Sequence, residues 1–251
     1  MCGRYCLSSA PEAIRALFRY PEQPNFPPRY NVAPTQPVPI VRMVEGRRQF
    51  ALVRWGLVPA WVEDPRAFSL LINARSESVN DKPAFKNAMK RRRCFFPADG
   101  FYEWKAGPTG KRPYFARPRA GSPIAFAGLW ETWIGPNGEE METAAILTTT
   151  ANAETGQIHS RAPVIIPPEQ FDFWLDCRNV DEGMASELLA PAPDESMDVY
   201  EISNSVNRVA NDSPELIAAV APSASIEEQT TSYVAPKPRK TKIDTRQGSL
   251  F

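Results

Sequence analysis

The chain has 251 residues, 29 basic and 29 acidic side chains and therefore a formal net charge of zero, with 43% hydrophobic residues and 26 prolines. That content fills one large core or two small ones, and its proline disfavours a helical bundle because proline interrupts helix interiors. No apolar run approaches the roughly 20 residues that span a bilayer, and the N-terminal stretch lacks the apolar segment of a secretory signal, so a soluble cytoplasmic protein is expected.

In chain order, Ser8-Ser9-Ala10-Pro11-Glu12 reads as a helix start with serine as N-cap, and Ile14, Leu17 and Phe18 carry a short helix over 11–19. A proline-rich loop runs to Pro28. Residues 38–44 and 49–55 read as strands around a Glu45-Gly46 turn. A short basic helix over 83–92 and a buried strand over 94–97 follow. Two further strand pairs are expected, 101–105 with 112–117 and 124–133 with 142–150, each around a Gly-Pro turn. Helical patterning returns at 168–176 and 181–189. The expected fold is α+β, a mostly antiparallel β core with curved, barrel-like sheets and short flanking helices.

Residues 1–221 form the expected folded domain. Residues 222–246 are rich in Ser, Thr, Pro, Lys and Glu and are expected to be a disordered linker. The ending Gln247-Gly248-Ser249-Leu250-Phe251 resembles the bacterial sliding-clamp-binding peptide. Leu250 and Phe251 would fill an apolar pocket while Gln247 sets register, although Gly248 stands where leucine is commoner.

The zero net charge is an average of opposite halves. Residues 1–120 hold 21 basic and 9 acidic side chains, a net of +12, and residues 121–251 hold 8 and 20, a net of −12. Such asymmetry points to an anionic partner. Four cysteines (Cys2, Cys6, Cys94, Cys177) and one histidine, His159, have no metal-ligand spacing, and neither a metal nor an organic cofactor is expected.

Cys2 is the most reactive candidate. Removal of Met1 leaves an N-terminal cysteine, whose α-amine and thiol sit on adjacent carbons with ordinary pKa values of about 7.7–8.0 and about 8.5. This 1,2-aminothiol can condense with an aldehyde and close a thiazolidine ring, or attack a carbonyl as a thiolate.

The ordered motifs Met1-Cys2-Gly3-Arg4-Tyr5, Arg29-Tyr30-Asn31-Val32-Ala33-Pro34-Thr35, Trp55-Gly56-Leu57-Val58-Pro59-Ala60-Trp61 and Asn73-Ala74-Arg75-Ser76-Glu77 resemble the SOS response-associated peptidase (SRAP) family of abasic-site-processing proteins. So do Asp99-Gly100-Phe101-Tyr102-Glu103-Trp104, Thr148-Thr149-Thr150-Ala151-Asn152 and Ile158-His159-Ser160-Arg161. The resemblance implies a covalent link from Cys2 to the aldehyde of an abasic site in single-stranded DNA, in a nucleoid-associated protein. It implies that Asn73 positions the sugar, Glu103 serves as acid and base, and His159 assists proton transfer. Arg4, Arg75, Thr149 and Arg161 would contact the DNA, with Pro34 and Trp61 wedging bases.

Read alone, Glu103 is equally a solvent-facing strand residue and His159 a structural histidine. Trp61, Phe68 and Phe85 interleave with Arg54, Arg66, Arg75, Lys82, Lys86 and Lys90-Arg91-Arg92-Arg93, the pairing of stacking faces and cations that single strands require. The bland reading makes these aromatics core and the cations a solvated helix face. Three rivals stay open: an N-terminal-nucleophile hydrolase of the glutamine amidotransferase type, which also begins Met-Cys-Gly; a peptidase, acting on other proteins or on its own Met1; and a non-enzymatic adaptor between DNA and clamp.

Overall fold

Short apolar stretches punctuated by proline and glycine hold strands better than helices, and the computed structural model contains thirteen strands and five helices of at most eight residues among the described residues, 2–108 and 110–220. The expected linker 222–246 and terminal peptide Gln247–Phe251 lie outside them.

In order the elements are β1 (Tyr5–Leu7), α1 (Pro11–Phe18), β2 (Arg29–Val32), β3 (Pro37–Val44), β4 (Arg47–Trp55), β5 (Asn73–Arg75), α2 (Lys86–Arg91), β6 (Arg93–Ala98), β7 (Gly100–Gly107) and β8 (Gly110–Pro118). There follow β9 (Ile124–Ile134), β10 (Glu140–Thr150), α3 (Ala153–Gly156), β11 (Arg161–Pro163), β12 (Ile165–Ile166), α4 (Phe171–Leu175), α5 (Glu182–Ser186) and β13 (Met197–Glu201). The expected hairpins are present. Glu45 and Gly46 both take positive φ, 50° and 78°, the backbone hand that matches the twist of β3 and β4.

Pairing closes β10, β4, β3, β6 and β9 into a ring, because β10 bonds β4 on one edge and β9 on the other. The α+β barrel-like expectation is met. A second sheet, in the order β13-β8-β7-β1-β2, is antiparallel throughout. It packs on the ring through aromatics. Tyr5 meets Trp55 edge-on at 5.4 Å between centroids, and Phe101 meets Phe126 at 6.0 Å. Such pairs add about 0.5–1.5 kcal/mol each beyond the area they bury.

Three details differ from the expectations. Ala10, not serine, caps α1, without a side-chain bond. Ser8 and Ser9 bind Asp99 instead, with Ser9 Oγ donating to its carboxylate at 2.6 Å. The helix expected over 181–189 is a single turn, 182–186. Phe85 is 8% exposed and packs with the core, so it does not stand out as Trp61 does.

Arg93 is 1% exposed, and its guanidinium donates to the carbonyls of Trp174 (2.6 Å), Met89, Asp176 and Val180. It ties β6 to the chain ends of α2 and α4, where carbonyls lack helical partners. Arg93→Ala leaves those carbonyls buried without donors, and urea unfolding should register a loss of about 3–5 kcal/mol.

Candidate active site

The site forms where β10 outruns the ring. Its first half is held by β4 and β9, and its second half carries β5 on one edge and β11 on the other. Thr148 stands opposite both Arg75 and Pro163. This one strand therefore sets Asn73 opposite Ile146, Arg75 opposite Thr148 and Arg161 opposite Thr150.

The second sheet brings the nucleophile. Tyr5 pairs with Phe101, and Tyr102 N–H donates to the Arg4 carbonyl at 3.0 Å. Continued two residues toward the N-terminus, that register brings Gly3 level with Glu103, and the Glu103 charge acts on the adjacent Cys2 thiol. Both residues are buried, Cys2 at 0% and Glu103 at 8% exposure. The solvent-facing reading of Glu103 is therefore excluded. Burial, reinforced by the Glu103 charge, pushes the Cys2 thiol well above its ordinary range. The thiol faces the Arg4 carbonyl at 3.9 Å.

Asn73 is oriented by a crowded carbonyl. The Ile72 oxygen accepts from Ile146 N–H, Trp55 Nε1 and Asn73 Nδ2, each at 3.0 Å. With its amide nitrogen so committed, Asn73 keeps Oδ1 buried with no partner among the described residues. An unmet buried acceptor costs about 1–3 kcal/mol, so this atom is suited to a donor that arrives from outside.

Asn73, Arg75, Trp61 and Lys82 line an open groove of about 580 Å³, floored by Leu71, Ile72 and Phe85. Trp61 is 57% exposed, braced edge-on by Phe68 at 5.6 Å. Gly56 starts the loop that reaches this groove. Its φ of 132° is open to glycine, and a Cβ there would meet Leu70 at 2.3 Å.

Arg161 and Glu103 line one small internal cavity, together with Thr155 and Ile158. Arg161 forms an ion pair with Glu77 and donates to the Thr148 carbonyl at 2.6 Å, and its proximity holds the Glu77 carboxyl below the usual range. His159 Nδ1 lies 3.0 Å from the Arg161 backbone nitrogen and 3.3 Å from the Arg161 carbonyl oxygen, which fixes the ring beside Arg161.

Not every sequence candidate is equally available. Arg4 Nη1 is spent on Asn31 Oδ1 (2.6 Å) and the Val206 carbonyl (2.8 Å), under Trp104. Thr149 is 4% exposed within β10. Pro34 is half-buried beside Thr35, whose φ of 73° is rare for a β-branched residue. Lys82 is one of the cations the sequence sets beside the aromatics, whereas Glu77, quoted within the Asn73–Glu77 motif, has no role there and gains one only as the partner of Arg161. Among the described residues no cluster of His, Cys, Asp and Glu is placed to hold a metal ion, and no helix is long and apolar enough to cross a membrane.

The family described as SOS response associated peptidase (SRAP) matches residues 1–209. The chain is 37% identical to the abasic site processing protein YoqW of Bacillus subtilis, over 86% of this chain and 99% of that one. It is 32% identical to the abasic site processing protein YedK of Escherichia coli, over 88% and 100%. A crystal structure of a protein from Bacteroides thetaiotaomicron superposes with a TM-score of 0.78 at 26% identity, covering 88% of this chain and all of that one. A phage-related protein from Bordetella bronchiseptica gives 0.65 at 31% identity, over 80% and 94%.

Proposed function

Because the chain belongs to the SOS response associated peptidase family, we propose that it processes abasic sites in single-stranded DNA by linking itself to them through Cys2. The observation that carries this reading is the burial of a second-position cysteine within the field of the buried Glu103 carboxylate. With Met1 gone, that cysteine presents an amine and a thiol to one aldehyde.

The chemistry runs in balance. The Cys2 amine adds to the aldehyde carbon of the opened sugar and forms a carbinolamine. Protonation of its hydroxyl expels water and leaves an imine. The thiol then adds to the imine carbon, its proton passing to nitrogen, and a thiazolidine results with one water lost overall. Glu103 serves as the proton carrier, and His159, held beside Arg161, assists at the sugar. Asn73 Oδ1 receives a donor from the substrate. An imine left open acidifies the neighbouring sugar carbon and permits elimination of the 3′ phosphate, a lyase side reaction. Ring closure removes that route.

Self-removal of Met1 belongs to the same reading. Water adds to the Met1 carbonyl, Glu103 takes its proton and returns it to the departing Cys2 nitrogen. Synthesis in a translation system without methionine aminopeptidase tests this by intact mass, and retention of Met1 there rules it out. The crosslink itself is tested by incubation with an abasic oligonucleotide and mass spectrometry. The adduct should weigh the sum of Met1-free protein and oligonucleotide less one water; no adduct from a chain shown to begin at Cys2 removes the proposal.

Trp61 takes a base of the bound strand on its exposed face. Trp61→Ala should keep the fold and weaken binding of an abasic oligonucleotide by about 1–3 kcal/mol, roughly fivefold to 150-fold in Kd by fluorescence anisotropy. An unchanged Kd refutes this role.

A further inference from the structure

From Arg75 to Arg91 the surface carries Arg75, Lys82, Lys86, Lys90 and Arg91, all exposed and none ion-paired among the described residues. Elsewhere exposed cations are either met by carboxylates, as Arg112 is by Glu201 and Arg119 by Asp198, or stand singly, as Arg19, Lys111 and Arg208 do, whereas here five fall within seventeen residues. The helical turn begins at Lys82, whose carbonyl accepts Lys86 N–H at 3.0 Å, and continues as Phe85 accepts Met89 N–H at 2.8 Å. Phe85, Ala88 and Met89 are buried, which fixes the rotation of the helix. Lys82, Lys86 and Lys90 follow at four-residue intervals on its exposed side, and Asp81 is the acidic residue beside them in sequence.

We infer that Lys86 and Lys90 form a phosphate track that extends the bound strand beyond the lesion, on one side of it only. Lys82 belongs to the groove that also holds Asn73, Arg75 and Trp61, so the stripe is continuous with the proposed lesion site. From Lys82 to Lys90 it rises about 12 Å, several phosphates of a stacked strand at roughly 3.4 Å per nucleotide. Charge complementarity and that continuity favour a nucleic-acid backbone over an acidic peptide. Unpaired, exposed ammonium groups release counterions on contact with phosphate, a term that grows with each nucleotide covered.

This inference rests on the abasic-site reading for the register of the strand. Its test uses an oligonucleotide with a tetrahydrofuran in place of the abasic sugar, which cannot open and so reports binding alone. A short core oligonucleotide is compared with two others extended by several nucleotides on the 5′ or the 3′ side. The full chain should gain affinity from one extension only. Lys86→Gln/Lys90→Gln should abolish that gain, roughly tenfold at low salt, and flatten the slope of log affinity against log salt by about 1.4, at about 0.7 per lost contact. Core affinity and crosslinking of a short abasic oligonucleotide should stay at the parent value.

An unchanged length dependence, or equal losses on both sides, overturns the track, as does an acidic peptide that competes at the double-substituted surface. If the parent chain binds with the expected asymmetry yet never crosslinks, the reaction fails while the track stands.

Discussion

Cys2→Ala should yield no heat-resistant band when the Met1-free protein is incubated with an abasic single strand and run on a denaturing gel. The loss is expected to be complete rather than partial, because alanine keeps the α-amine but cannot close the ring. Its imine is reversible and hydrolyses on denaturation. Cys2 is fully buried and small, so alanine in its place should cost only about 1–2 kcal/mol and leave a folded protein that still binds the strand. Cys2→Ser sharpens the result. A hydroxyl adds to an imine far less readily than sulfur, so the intermediate should accumulate, become trappable with borohydride and release strands cleaved by elimination. A stable band from Cys2→Ala would place the covalent bond on another residue. Cleaved strands at the parent level from Cys2→Ser would show that ring closure does not protect the lesion.

Much of this site could be read along the chain, and the exceptions have physical causes. The β3–β4 hairpin announces itself through apolar alternation broken at Glu45-Gly46, a local signal with a local cause. β5 and β11 do not, since three residues show no period and each strand exists only through its pairing with β10. Ser8 and Ser9 fit a helix cap by sequence, yet Asp99, some ninety residues on, accepts their N–H groups and hydroxyls more favourably. Glu103 sits among Phe101, Tyr102 and Trp104, a run that does not say which face is covered. Its burial follows from distant parts of the chain, Thr155, Ile158 and Arg161, which share its cavity, while Val206 and Leu216 cover Tyr102 on the other face of β7. Phe85 and Trp61 looked equivalent beside their cations, and only the packing of α2 distinguishes the core residue from the exposed one.

The charge asymmetry also gains a location. A surplus of +12 in the first half specifies no surface by itself, because arginines such as Arg42, Arg48 and Arg112 are spent on carboxylates from the second half. The densest run of exposed, unpaired cations lies after Asn73, and its members Arg75 and Lys82 line the groove. Exposed ion pairs contribute little to stability, so removing such a pair changes mainly how the surface attracts a polyanion.

Glu103→Gln should slow crosslinking by about 10²–10⁴-fold while binding of the tetrahydrofuran oligonucleotide stays unchanged, because the amide keeps the shape of the carboxylate and removes only its proton exchange. Three proton movements converge on this position: release from the amine or thiol, delivery to the departing water and return to the ring nitrogen. The thiol makes the dependence acute. Burial and the Glu103 charge both raise its pKa, so near neutral pH it carries its proton and needs a base within reach. Glutamine removes one of those two causes, which lowers the thiol pKa, but burial, the larger cause, persists and solvent must then take the proton. The rate of the variant should therefore climb with pH across the neutral and mildly alkaline range, where the parent protein should be flatter. Single-turnover rates between about pH 6 and 9 read both effects. Intact mass must first show that the variant begins at Cys2, since a retained Met1 blocks the amine and mimics lost catalysis. A Met1-free Glu103→Gln protein with the parent rate and pH profile would confine Glu103 to shaping the pocket and move the proton carrier to His159.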